Sequence, residues 1–114
     1  MNAVPLHLQT EVETKRKRLL KVSHQEHESI VRYLQDHPDP LSVPFLEKAI
    51  IRKPRLKYLD YDDYGAFYKK CLWALQAIGT PAAIAVIRKC AVSQKPALRS
   101  QALYRLSKIE QSRS

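Results

Sequence analysis

Glycine occurs only twice in 114 residues, at Gly65 and Gly79. A phosphate-cradling loop or a GxGxxG turn cannot be written with so few, because each needs several positions without a Cβ. Sandwiches and small barrels are disfavoured for a related reason: they need many tight turns. No segment alternates apolar and polar residues with period two, so no strand is expected. The longest apolar run, Ala82 to Ile87, is far short of the about 20 residues of a membrane span. The first 30 residues hold no apolar stretch preceded by basic residues, so no secretory signal is expected and a cytoplasmic location is. The length fits one domain with its own core.

Local signals set out five or six helices. Thr10 with Glu13 has capping-box spacing and predicts a first helix from near Thr10 through Lys15, Arg16, Lys17 and Arg18 to Val22. Ser23 with Glu26 repeats the spacing, and Ile30, Val31 and Leu34 supply the apolar stripe of a second helix ending at Asp36. Pro44 suits the first turn of a third, from near Ser42 to about Lys53. A fourth starts near Asp60 or Asp62 and runs to Ile78, with Gly79 just past its end. Thr80 and Pro81 read as N-cap and first-turn residue of a fifth helix running to about Val92. The last covers roughly Ala97 to Glu110. Residues 1–9 read as an irregular lead-in, 10–110 as one helical domain and 111–114 as a disordered tail.

The helices resemble one another at fixed offsets. Cys71 to Ile78 aligns with Ala102 to Ile109 at an offset of 31, placing Trp73 against Tyr104. Val43 to Ile50 aligns with Thr80 to Ile87 at an offset of 37, with proline at both helix starts. A helix pair recurring every 31 to 41 residues is the mark of an α-solenoid, in which each unit buries its stripe only against neighbours.

Over about residues 24–110 the chain resembles the HEAT-repeat family. Leu72 to Ile84, with its Gly79-Thr80-Pro81 join, resembles the family's passage from first to second helix, and Arg99 with Ala102-Leu103 resembles the opening of the next first helix. The family's Asp and Arg ladder between repeats is not evident. The resemblance implies an all-α fold: a short right-handed α-solenoid of antiparallel helix pairs, about two and a half repeats, with second helices lining a concave binding face. Members mostly bind proteins, some bind nucleic acid, and few are enzymes.

Twenty Lys and Arg against eleven Asp and Glu leave a net charge of +9. Residues 65–114 carry nine basic residues and one acidic, Glu110. Such a field favours acidic proteins or nucleic acid. At the 37-residue offset both second helices end in basic residues, so Lys48, Arg52, Lys53, Arg88 and Lys89 form a candidate band for an acidic partner. Cations at helix ends also complement the macrodipole. Tyr58, Tyr61, Tyr64 and Tyr68 follow helical spacing, and the first three join the candidate site; the same tyrosines could equally pack the helix against its neighbour. Lys15, Arg16, Lys17 and Arg18 are the alternative, nucleic-acid footprint, although on a helix they point around most of the circumference.

His24 and His27 share a helix face but lack a third ligand, and read as exposed polar residues. Trp73 reads as a core anchor. Cys71 and Cys90 read as reduced, buried thiols. Leu98, Leu103, Leu106 and Ile109 form an edge on the unpaired last helix, a candidate homodimer contact. No catalytic constellation, metal site or cofactor site stands out. The expected function is a non-enzymatic adaptor for an acidic protein surface, with nucleic acid as the alternative ligand and no membrane binding.

Overall fold

The structure is a computed structural model that describes residues 6–21, 23–51, 57–62 and 64–113, with the side chains of 6–9, 57, 61, 112 and 113 left aside. Among them are six α-helices and no strand: α1 Leu6–Leu19, α2 His27–Asp36, α3 Val43–Ile51, α4 Gly65–Ile78, α5 Pro81–Cys90 and α6 Pro96–Arg113. Short 3-10 turns at Pro40–Ser42 and Lys57–Asp62 lead into α3 and α4.

Each helix buries a stripe at 3.6-residue spacing. In α2 it is His27, Ile30, Val31 and Leu34; in α3, Val43, Leu46, Ala49 and Ile50; in α5, Ala83, Val86, Ile87 and Cys90. The stripe of α4 is broader, with Phe67, Tyr68, Cys71, Leu72, Ala74 and Leu75 all buried. A wider apolar sector needs more neighbours to cover it. Accordingly α4 packs against α2, α3, α5 and α6, whereas α1 meets α2 and α3. The contacts place α4 between α2 and α6, and α3 between α1 and α5. The shortest extent is 16 Å, the depth of two helices packed about 9 Å apart.

The turn chemistry between α4 and α5 follows the expectation. Gly79 has φ +70 and donates its N–H to the Leu75 carbonyl at 3.0 Å, a conformation that costs an L side chain about 1–2 kcal/mol. Thr80 Oγ1 accepts the Ala83 N–H at 3.2 Å, and Pro81 opens α5. Both cysteines are buried free thiols. Burial disfavours their thiolates, pushing Cys90 up to about 11 and Cys71 higher still.

Several helix ends differ from the sequence expectation. α1 reaches back to Leu6, so Thr10 is interior and its carbonyl accepts the Thr14 hydroxyl at 3.0 Å. α2 starts at His27, not Ser23, because His24 holds the preceding bend: its Nδ1 accepts the Glu26 N–H at 3.0 Å and its Nε2 donates to the Arg18 carbonyl at 2.7 Å. α4 starts at Gly65 because Tyr64 adopts φ 64, a left-handed value that ends the preceding turn. Asp62 still serves the helix start, its carboxylate accepting the Ala66 N–H at 2.9 Å. α6 continues through Arg113, past the expected end at Glu110.

Candidate interaction surfaces

The proposed basic band lies on α3 and α5, which touch. Lys48, Arg88 and Lys89 are all exposed; Arg52 and Lys53 lie outside the described residues. Lys89 Nζ meets the Glu47 carboxylate at 3.1 Å, while Lys48 and Arg88 make no ion pair among the described residues. Two uncompensated cations therefore stand on neighbouring helices with one neutralised cation beside them.

The run Lys15–Arg18 does not present all four side chains to solvent. Arg16 is buried, its Nη1 3.2 Å from Asp39 Oδ2 and its guanidinium 5.6 Å from the centre of the Phe45 ring. Lys15 lies 5.4 Å from the Tyr33 ring, Lys17 is 3.7 Å from Glu13, and Arg18 pairs with Glu26. A run of four cations on a helix must send one side chain inward, and here Asp39 receives it.

The tyrosines do not share one helical face, because the chain breaks at Tyr64. Tyr58 is partly buried against His27, Tyr64 is partly buried and Tyr68 is in the core; the Tyr61 side chain lies outside the described residues. The rings of Tyr58, Tyr64 and Tyr68 pack against or within the core.

His27 is buried rather than exposed. Its Nε2 donates to the Lys21 carbonyl at 2.6 Å, which assigns the ring proton there, and its Nδ1 accepts from the Tyr58 hydroxyl at 2.5 Å. The His24 ring stacks on it at 4.2 Å. Desolvation lowers the His27 pKa from its ordinary value, and the neighbouring charges of His24 and Arg18 act in the same direction, against the Lys21 carbonyl. The folded state thus takes up this proton less readily than the unfolded chain. The resulting stability is present above the ordinary value of about 6.5 and is lost as pH falls through the lowered one. Urea unfolding at pH 7.5 and 5.5 is expected to show a smaller loss on acidification for His27→Asn than for the unaltered chain. Equal losses would mean that His27 does not contribute to the slope. No group of three or more His, Cys, Asp or Glu that could hold a metal occurs among the described residues.

The α4–α6 side carries a feature the sequence reading missed. Trp73 is 38% exposed and Tyr104 53%, so neither is a core anchor. Between them lies Arg105, itself buried, with its guanidinium 3.7 Å from the Trp73 ring centre and 5.5 Å from that of Tyr104. It donates to Gln76 Oε1 at 3.2 Å and meets no carboxylate among the described residues. Burial draws its pKa down from the usual guanidinium value. Next to Trp73 is a groove of about 450 Å³ lined by Arg32, Gln35, Ala66, Lys69 and Lys70. The only sequence signal was the alignment of Trp73 with Tyr104.

The expected apolar edge of α6 is mostly covered. Leu98 and Ile109 are buried and Leu106 is half-buried, because α6 packs on both α4 and α5; Leu103 alone of the four is exposed. No helix among the described residues is long and apolar enough to cross a membrane. Compared with known proteins, the chain matches no family model, no curated protein and no solved structure.

Proposed function

We propose that the chain is a non-enzymatic adaptor, a short right-handed HEAT-like α-solenoid that engages an acidic protein surface through the exposed cations of α3 and α5. Two ion pairs support the repeat reading. Glu28 meets Lys70 between α2 and α4, and Glu47 meets Lys89 between α3 and α5, each at 3.1 Å and each across 42 residues. A ladder of equal spacing on two successive helix pairs is what a repeated unit produces. The observation that carries the function is the pair Lys48 and Arg88, exposed on touching helices and without a carboxylate among the described residues. Uncompensated surface cations attract and orient an acidic partner more than they stabilise the fold. The nucleic-acid alternative keeps the net charge in its favour but loses Arg16 from its footprint, since that side chain is buried against Asp39.

The test is fluorescence anisotropy with a labelled poly-glutamate peptide, alongside single- and double-stranded DNA and RNA, at about 50 and 200 mM salt. Peptide binding is expected, and Lys48→Glu with Arg88→Glu is expected to weaken it at least about tenfold, roughly 1.4 kcal/mol, with no change in unfolding midpoint. Nucleic acid bound more tightly than peptide at the higher salt would replace this reading with the alternative.

A further inference from the structure

We propose that the Trp73–Arg105–Tyr104 cluster and the adjoining α2–α4 groove form a second docking surface, for an acidic protein segment carrying bulky apolar side chains. It lies on α2, α4 and α6 and needs neither the α3–α5 cations nor the repeat reading.

Arg105 is the starting point. A buried guanidinium without a counter-ion is costly, and its stacking on an indole recovers only part of that cost. The stack does hold Trp73 in one orientation while leaving the ring 38% exposed. An exposed aromatic side chain fixed before binding loses little entropy when a partner covers it. Tyr104, 53% exposed, stands on α6 with its ring centre 5.5 Å from the same guanidinium. The surface therefore offers large apolar area at a fixed place, the composition of a binding hot spot.

Its surroundings set the charge of the occupant. Lys69 and Lys108 are exposed and make no ion pair among the described residues; Lys108 Nζ is 5.4 Å from the Tyr104 ring centre. The stretch 65–114 that supplies these residues has nine basic residues and one acidic. A carboxylate-bearing segment complements that field.

One observation favours a protein segment over single-stranded nucleic acid. Base stacking needs open aromatic faces, and Trp73 and Tyr104 already carry cations over their rings. A second copy of the chain fits poorly, since it brings another +9. The segment that carries Asp60 and Asp62 is anchored elsewhere, with Leu59 buried and Tyr58 bonded to His27.

Trp73 is the only tryptophan, so its emission reports directly on this surface. The full chain is titrated with a peptide of about 15 residues, roughly 22 Å as a helix, in which Glu and Asp alternate with Leu and Phe. A poly-glutamate peptide of equal length and an oligothymidine are run in parallel. The mixed peptide is expected to shift Trp73 emission to the blue, to saturate, and to bind at least about tenfold more tightly than poly-glutamate. Tyr104→Ala is expected to remove that advantage, and Lys69→Glu with Lys108→Glu to weaken binding in a chain whose apolar contacts are intact. Lys48→Glu with Arg88→Glu is expected to leave it within about twofold, which separates this surface from the one on α3 and α5. Absence of the blue shift, equal affinity for poly-glutamate, tighter binding of oligothymidine, or full affinity in both surface variants would each overturn the proposal.

Discussion

Leu72→Ala is expected to lower the free energy of unfolding by about 3 kcal/mol, within the usual range of about 2–5 kcal/mol for a buried leucine. Leu72 is fully buried in the middle of α4, the helix that touches α2, α3, α5 and α6. With helices on several sides, the walls of the cavity have little room to close in on the lost methyl groups. Total stability for a domain of this size is about 5–15 kcal/mol, so the variant should remain folded at room temperature with a much lower urea midpoint. An exposed control, Leu103→Ala, should change the midpoint little, because that side chain is 53% exposed. A loss below about 1 kcal/mol for Leu72→Ala would contradict the central position of α4.

Asp39→Ala should be of similar size, about 3–5 kcal/mol, for an electrostatic reason. Arg16 and Asp39 side chains are only 9% and 15% exposed, and their 3.2 Å contact ties α1 to the turn before α3. Arg16 Nε already lacks a partner, so removing the carboxylate leaves a buried cation still less compensated. Asp39 also accepts the Leu41 N–H at 2.9 Å through its other oxygen, a cap that would be lost as well. Arg16→Met should cost less, since it removes the buried charge and keeps an apolar stem against Phe45. The double variant should therefore be more stable than Asp39→Ala alone. Urea unfolding of the three variants closes the cycle. A double variant no more stable than the single one would show that the two charges are not coupled.

What could be read in advance depended on how far apart the interacting residues lie. The α4–α5 join was legible because a left-handed glycine, a threonine cap and a first-turn proline act within three residues. The stripes of α2, α3 and α5 were legible because one buried face imposes its period on neighbouring positions. Arg16 was not, since Asp39 lies 23 residues away and nothing local distinguishes one member of a basic run from the next. His27 escaped for the same reason: Tyr58 is 31 residues distant. The tyrosine spacing suggested one continuous face, and a single left-handed residue, Tyr64, interrupted it. Trp73 and Tyr104 are both exposed, yet a large aromatic carries no local mark of which side of a helix it will occupy once a neighbouring arginine can cover it.

The two buried thiols carry a consequence for oxidative chemistry. A thiol reacts as its thiolate and only where an oxidant can reach it. Cys71 and Cys90 are denied both, one in the middle of α4 and one at the end of α5. Oxidant therefore meets sulfur only during the moments when a helix parts from its neighbours. Damage at each cysteine accumulates at the pace of that opening, and the two sulfurs keep separate time for two parts of the fold.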